Sequence, residues 1–229
     1  MQKGALSGKN IVIVGASSGL GKALAEQLSE QGPNLYLLSR NIESSDLSFE
    51  AHKINCDVKD AESVGRAFQG VDSLTDKIDV LVNCVGIGLV KGLEHTTQEE
   101  INNVIDTDLK GVIYTSQEAY KRMVEKKNGH IINVSSTSGL KARPDETIYC
   151  AAKWGLRGFT ESLRLAGVPN KVRVTGIYPG GMQTNFWKGN EPKNLEAFMQ
   201  PADIAEQIVN VIKAPVSISP AEVVIERGV

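Results

Sequence analysis

A glycine-rich turn near the N-terminus places the tightest constraint on the fold. The β-branched run Asn10–Val14 predicts a buried parallel strand, and it leads directly into GASSGLG (residues 15–21). The next residues, KALAEQLSEQ, predict a helix that ends at a glycine-proline pair. This order is typical of a dinucleotide-binding unit, because glycines let the backbone approach a pyrophosphate and the helix N-terminus stabilises its charge. The candidate cofactor-binding residues here are Gly15, Ser17, Ser18, Gly19, Leu20 and Gly21.

Strand-like and helix-like segments alternate along the rest of the chain. Apolar, mostly β-branched runs predict further strands at residues 34–38, 52–58, 78–83, 130–136, 171–179 and 221–227. We therefore predict an α/β fold, a Rossmann-like doubly wound parallel sheet of about seven strands with helices on both faces. Residues 1–229 are expected to form one domain, with ligands bound at the carboxyl ends of the strands.

Residues at the ends of the predicted strands are candidate contacts to a dinucleotide. The second strand ends beside Arg40 and has no acid at its tip, which favours the 2′-phosphate of NADP(H) over the ribose hydroxyl of NAD(H). Arg40 as an ordinary solvated cation is the alternative. Asp57 and Val58 end the third strand, where an acid is placed to meet the adenine edge. Asn83 ends the fourth and can tie neighbouring strands together, and Gly86 lets the backbone pass beside the cofactor ribose.

The segment from Ser136 to Lys153 carries candidate catalytic groups. Tyr149 and Lys153 have the i, i+4 spacing that places them on one face of a helix, with the ammonium beside the phenol. A neighbouring cation lowers the pKa of a phenol from about 10 towards the neutral range. Ser136, at the carboxyl end of the fifth strand, can orient a substrate oxygen. The arrangement suits proton transfer to a carbonyl oxygen or from an alcohol.

The composition argues against several other classes of function. A formal net charge of -2 gives no reason to expect nucleic acid or an anionic membrane as partner, and no apolar run approaches the roughly 18 residues of a membrane span. The apolar run at the N-terminus is too short for a signal peptide. The three cysteines and three histidines lack metal-ligand spacing. We expect a cytoplasmic protein with no metal site.

These motifs together resemble the single-domain branch of the short-chain dehydrogenase/reductase family over essentially the whole chain. Residues 14–21 fit the family pattern T-G-x-x-x-G-x-G, with valine in place of threonine, and residues 83–86 (NCVG) correspond to N-N-A-G. The family's catalytic serine, tyrosine and lysine fall on Ser136, Tyr149 and Lys153. The resemblance also assigns cofactor contacts to Pro179, Gly180 and Thr184.

The resemblance implies an NADP(H)-dependent oxidoreductase that reduces a ketone, an aldehyde or a 3-oxoacyl group by hydride transfer. Tyr149 would protonate the oxygen, and Lys153 would lower the pKa of Tyr149 and hold the nicotinamide ribose. It further implies a homodimer or homotetramer. An NAD-linked alcohol dehydrogenase and a weakly catalytic NADP-binding sensor remain alternatives. The candidate substrate residues are Ser136, Tyr149, Gly88, Met182, Phe186 and Trp187.

One position departs from the family pattern. Many members carry asparagine in an N-L-x-G stretch where this chain has Asp108. An ionised aspartate cannot donate a hydrogen bond, and near Lys153 it would stabilise the ammonium and weaken its effect on Tyr149. We include Asp108 among the candidate catalytic residues, with a tolerated variant in an active enzyme as the alternative.

Two further features bear on the substrate. Lys141 and Arg143 follow Ser136 and either attract an anionic carbonyl compound or are simple solvated charges. The irregular, aromatic segment at residues 185–200 is more typical of a lid than of a core element.

Overall fold

The computed structural model describes residues 4–187 and 192–228. Its strands are β1 (Asn10–Val14), β2 (Asn34–Ser39), β3 (His52–Asn55), β4 (Val80–Asn83), β5 (Gly129–Val134), β6 (Val172–Pro179) and β7 (Glu222–Ile225). They form one seven-stranded sheet in the order β3-β2-β1-β4-β5-β6-β7, and every pairing is parallel. The predicted doubly wound parallel sheet is confirmed.

Helices cover both faces of this sheet. They are α1 (Gly19–Ser29), α2 (Ala61–Asp72), α3 (Gln98–Ile105), α4 (Gly111–Lys126), α5 (Thr147–Gly167) and α6 (Pro201–Lys213). Successive side chains of β1 point to opposite faces, so Ile11 and Ile13 join one core with α1 and α6, while Val12 and Val14 join another with α2 and α4. The sheet is therefore packed between two hydrophobic cores, one on each of its faces.

Strand pairing explains where the observed ends differ from the predicted ones. β3 ends at Asn55 rather than at residue 58, because its pairing partner β2 ends at Ser39, opposite Asn55. β5 ends at Val134, so Ser136 lies beyond the strand and caps a short 3₁₀ turn instead. β4 begins at Val80 and β7 covers only Glu222–Ile225, both shorter than predicted.

The helical region between β4 and β5 is divided in two. Thr97 and Glu100 form a capping box at the start of α3, with reciprocal hydrogen bonds of 2.8 and 3.2 Å. A π turn over Asp106–Lys110 then separates α3 from α4. Such a turn inserts extra backbone into the helix and changes which side chains face the core. As a result Asp108 is completely buried.

Other expectations concern the membrane, metals and the segment at 185–200. No helix in the described residues is both long and apolar enough to span a membrane. Within those residues no group of three or more His, Cys, Asp or Glu side chains could hold a metal ion. The aromatic segment contains two short 3₁₀ turns, and Met182 bridges to Met199 beside it. Residues 188–191 of that segment lie outside the described residues.

His130, in β5, is a buried histidine held in one neutral form. Its Nε2 lies 2.9 Å from Oγ1 of Thr175, whose own proton goes to the carbonyl oxygen of Pro220. Nε2 must therefore carry the proton, which leaves Nδ1 deprotonated and without a hydrogen-bond partner among the described residues. Burial, aided by the charge of Arg173, lowers the pKa of His130 to about 3.

This burial makes the stability of the fold depend on pH. Below the ordinary histidine pKa of 6.5 the unfolded chain takes up a proton that the folded chain rejects. The free energy of unfolding therefore falls by up to about 1.4 kcal/mol per pH unit as pH drops below that value. His130→Gln keeps a donor near Nε2 and cannot titrate, so its unfolding free energy, from urea denaturation, should fall less steeply between about pH 6.5 and 5.

The exposed His95 provides the matched control. His95→Gln should show the wild-type slope. If His130→Gln also showed the wild-type slope, the pH dependence would not come from His130.

Candidate active site

A large cavity of about 530 Å³ runs along the carboxyl edge of the sheet. Its wall begins at the glycine-rich turn after β1, passes the ends of β2 and β3 and the segment after β4, and reaches α5. The predicted cofactor-binding residues on this wall are Gly15, Ser17, Ser18, Gly19, Leu20, Arg40, Asp57, Val58, Gly86, Tyr149, Lys153 and Thr184. The predicted substrate residues Gly88, Met182 and Phe186 also line it.

The glycine-rich turn forms a cradle that side chains would fill. Gly15 has a φ of +82°, and a Cβ there would lie 3.0 Å from the backbone of Cys84 and Val85. A Cβ on Gly21 would overlap the carbonyl oxygen of Gly15. Gly21 does not line the cavity; its role here is to let α1 begin in contact with the turn. The result is an accessible backbone surface at a helix N-terminus, which suits a pyrophosphate.

The end of the larger cavity that lies beside β2 is polar. Oγ of Ser17 and Oγ of Ser39 are hydrogen-bonded at 2.8 Å, and the exposed Arg40 follows Ser39 on the wall. Sequence reasoning missed several wall residues, namely Ser39, Cys56, Lys59, Cys84, Asn103, Thr107 and Asn185. Ser39 and Cys84 adjoin predicted residues at strand ends, which is a usable signal. Nothing in the sequence placed Asn103 or Thr107 beside the sheet.

A smaller cavity of about 170 Å³ joins the larger one at Tyr149. Ser136 and Trp187, both predicted substrate residues, line it, and so does Phe198, which was not predicted. Four aromatic rings follow one another with centroid distances of 4.8–5.3 Å, in the order Tyr149, Phe186, Trp187 and Phe198. Pro179 and Gly180 line this cavity and not the larger one, and their predicted contact with the cofactor stays a prediction.

The predicted catalytic side chains come together where the two cavities meet. Tyr149 and Lys153 lie on one face of α5, with Nζ of Lys153 5.5 Å from the centre of the Tyr149 ring. The side chain of Ser136 also interacts with the phenol. Nζ of Lys153 also lies 3.1 Å from Oδ2 of Asp108, whose Oδ1 accepts a hydrogen bond of 2.8 Å from the N–H of Ile87. Asp108 contacts Lys153 from behind the wall and does not line either cavity.

The pKa of Tyr149 differs in direction from the sequence prediction. Burial raises this pKa above its usual value, and the carboxylates of Asp108 and Glu146 raise it further. The Lys153 ammonium and Ser136 lower it, but they do not outweigh burial. The expectation of a net lowering was therefore wrong, because the phenol is enclosed and its neighbouring cation is paired.

The other two ionisable groups of the cluster stabilise each other. Burial by itself lowers the pKa of Lys153, but the Asp108 carboxylate and Tyr149 together outweigh this effect, so the pKa is raised. Burial raises the pKa of the Asp108 carboxyl group above its usual value, and the Lys153 ammonium and the Ile87 amide oppose this effect without cancelling it. A carboxylate does lie beside Lys153 and favours the ammonium, as expected; that it weakens the effect of Lys153 on Tyr149 stays a prediction.

Asn83 has a different position from the one predicted for a cofactor contact. Its side chain is fully buried and lines neither cavity. Its amide donates to Oδ1 of Asn133 in β5 at 2.9 Å and to Oγ of Ser116 in α4 at 3.1 Å. The cofactor assignment is corrected, whereas the predicted tie between neighbouring strands is confirmed.

Comparison with known proteins identifies the family of this chain. Residues 9–195 match the family model of the short chain dehydrogenases. The chain belongs to that family. It is similar to the 3-oxoacyl-acyl-carrier-protein reductase of Bos taurus, with 31% identity over 218 residues, 90% of this chain and 92% of the relative.

Further relatives of this short-chain dehydrogenase cover nearly its full length. An uncharacterized oxidoreductase of Staphylococcus aureus (strain USA300) is 30% identical over 226 residues, 96% of this chain and 97% of the relative. Among solved structures, a metagenomic short-chain oxidoreductase in complex with NADP has a TM-score of 0.84 at 27% identity, covering 98% of this chain and 99% of the other.

The close contact at Gly21 leads to a stability prediction. Gly21→Ala should lower the free energy of unfolding by about 1–3 kcal/mol, because the new methyl group overlaps the Gly15 carbonyl. Urea denaturation measures this. Gly65→Ala in α2, where no atom lies within 4 Å of the added carbon, is the control and should stabilise by about 0.5–1 kcal/mol. A Gly21→Ala protein as stable as the wild type would show that the turn can open without cost.

Proposed function

We propose that this short-chain dehydrogenase is an NADP(H)-dependent reductase that converts a ketone, an aldehyde or a 3-oxoacyl group to an alcohol. The observation that carries the proposal is the meeting of two cavities at Tyr149. The larger cavity has the length and the polar end that a dinucleotide requires, and the smaller one has the size of a small organic substrate. A hydroxyl group, a phenol and an ammonium lie at their junction.

The residues of the larger cavity fit a dinucleotide. The cradle at Gly15 and the N-terminus of α1 suit the pyrophosphate, and Arg40 is placed for a 2′-phosphate. Ser17 and Ser39 supply hydroxyl donors beside Arg40. The metagenomic relative solved with NADP supports the same choice. When bound, NADPH supplies the hydride that reduces the carbonyl carbon.

The side chains at the junction supply the proton and hold the substrate oxygen. Ser136 and Tyr149 both line the smaller cavity, so their hydroxyl groups can converge on one oxygen atom. The raised pKa keeps Tyr149 protonated at neutral pH, which suits donation to a carbonyl oxygen. Lys153 stabilises the phenolate left after that donation.

The smaller cavity favours an uncharged, hydrophobic or aromatic substrate. Its wall combines four aromatic rings with hydroxyl groups and with Arg143 and Glu146, which pair with each other, and its volume is similar to that of an engineered protein cavity that binds benzene. The nearby cations are already paired: Lys141 with Glu226 at 2.9 Å, and Arg143 with Glu146 at 3.7 Å. Attraction of an anionic carbonyl compound by these two residues, one of the sequence-based alternatives, is therefore not part of the proposal.

We further infer that the protein assembles as a homodimer or homotetramer through its long helices. Trp154 and Leu165, both on α5, are 46% and 58% exposed, which is unusual for large apolar side chains on one helix face. A second copy of the chain would cover them.

The first test of the proposed function is calorimetric titration of the cofactors. The wild type should bind NADPH more tightly than NADH. Arg40→Ala should weaken NADPH binding about tenfold or more and leave NADH unchanged, because it removes the charge facing the 2′-phosphate. Arg66→Ala, an exposed arginine on α2 outside the cavity, is the control. Tighter binding of NADH, insensitive to Arg40→Ala, would point to the NAD-linked alternative, and binding of neither would reject the proposal.

The second test is turnover of a panel of ketones and aldehydes. Tyr149→Phe removes the proton donor and should lower kcat roughly 10²–10⁴-fold while NADPH affinity changes little. Tyr114→Phe, in α4 and outside both cavities, should retain wild-type turnover. Normal NADPH-dependent reduction by Tyr149→Phe would show that another group donates the proton.

A further inference from the structure

Asp108 and Lys153 form a buried ion pair at the wall of the larger cavity, where Lys153 lines the cavity and Asp108 lies behind it. Nζ and Oδ2 are 3.1 Å apart, and the side chains are 3% and 0% exposed. Oδ1 accepts the N–H of Ile87, whereas Oδ2 has the ion-pair contact with Nζ and no hydrogen-bond partner among the described residues. Each of two opposite charges at this distance favours the ionised form of the other, which opposes the effect of burial on the carboxyl group.

Three separate parts of the chain are shaped around this pair. The π turn directs Asp108 inwards, and α5 brings Lys153 one helical turn after Tyr149. Gly86 leaves the space between them open: a Cβ there would lie 3.1 Å from Oδ2 of Asp108 and 3.2 Å from Nζ of Lys153. An ordinary side chain at this position would press on both charged groups.

The charged groups around Tyr149 come from three elements. Lys153 lies on α5, Asp108 on the π turn, and Glu146 on the short turn before α5. Glu146 accepts a 2.6 Å hydrogen bond from Ser138 and pairs with Arg143, so its charge is already compensated. Asp108 is therefore the carboxylate that acts directly on the cation beside the phenol.

We propose that Asp108 is a positioning residue: its carboxylate lies behind the cavity wall, fixes the Lys153 side chain within that wall and partly neutralises the ammonium that faces Tyr149. The pair keeps Lys153 charged, and it lets the phenol retain its proton to higher pH than an unpaired ammonium would. Where it concerns turnover, this inference rests on the proposed reductase function. The ion pair itself does not depend on it.

Asp108→Asn tests the charge and preserves the shape. The amide oxygen can still accept the Ile87 N–H, so the backbone contact survives while the negative charge is lost. The high-pH limb of NADPH-dependent reduction should move to lower pH, because either Lys153 or Tyr149 then loses its proton earlier. We expect the midpoint of this limb to fall by about one pH unit, which lowers kcat/KM roughly tenfold at pH values above both midpoints.

Asp106→Asn is the matched control. It removes the same charge from the same π turn, but Asp106 is partly exposed and pairs with Lys110 at 2.8 Å. Its pH profile should be that of the wild type. An Asp108→Asn profile that is unmoved, or lowered by one factor at every pH, would overturn the proposal and leave only a structural role.

A titration without turnover separates this proposal from the proposed function. Phenolate formation is followed by ultraviolet difference spectroscopy, and the signal of Tyr149 is isolated by subtracting the matching Tyr149→Phe protein. The midpoint should be lower in Asp108→Asn than in the wild type. A shifted midpoint in a protein that reduces no carbonyl supports the positioning role and rejects the reductase; an unmoved midpoint in an active reductase does the reverse.

Asp108→Ser provides a second variant in case Asp108→Asn does not fold. Its side chain is smaller than the carboxylate and carries no charge, so the Tyr149 midpoint should again be lower than in the wild type. An unchanged midpoint would count against the proposal.

Discussion

A buried hydrogen-bond network around Asn83 holds the four elements that make up the junction of the cavities. Asn83 at the end of β4 donates to Asn133 of β5 at 2.9 Å, and Asn133 donates to Thr160 of α5 at 3.0 Å. Thr115 of α4 donates a hydrogen bond of 2.8 Å to Asn83, and Asn83 in turn donates to the hydroxyl group of Ser116. Every member has a partner, so the cost of burying these amides is offset and the helices are set at one position on the sheet edge.

That frame explains why a costly ion pair can persist beside the phenol. α4 begins where the π turn ends, and α5 carries both Tyr149 and Lys153. Since the network joins both helices to the same strands, the backbone already holds Asp108 and Lys153 at contact distance. A buried pair of this kind contributes little to stability by itself, because desolvation cancels much of the attraction. Its effect is on the proton of Tyr149.

The sequence predicted the elements that depend on local pattern. β1 and the glycine-rich turn follow from residues that are adjacent in the chain, and Tyr149 and Lys153 share a helix face because of their spacing. The direction in which the pKa of Tyr149 is shifted could not be predicted in this way. It depends on enclosure by Phe186 and on the pairing of Lys153 with Asp108, which are contacts between segments distant in the chain.

The same limit applies to single residues within motifs. Asn83 matched a family motif and was assigned to the cofactor, yet its side chain is used entirely within the core. Pro179 and Gly180 matched another motif, but the bend after β6 places them on the smaller cavity. A motif identifies which residues occur near a site, whereas the direction of each side chain depends on the packing of its neighbours.

The two cavities differ in the chemistry of their walls, and Tyr149 lies on the boundary. The larger cavity carries Arg40, Asp57 and Lys59 and is open to charged groups, whereas the smaller one combines four aromatic rings with hydroxyl groups and one paired arginine. Phe186 packs against the Tyr149 ring, which is only 6% exposed, so the nearby charges act on the phenol with little screening. The balance between the Lys153 ammonium and the Asp108 carboxylate then influences the pKa of Tyr149. In this way Asp108, which lies behind the cavity wall, affects the phenol that faces the substrate.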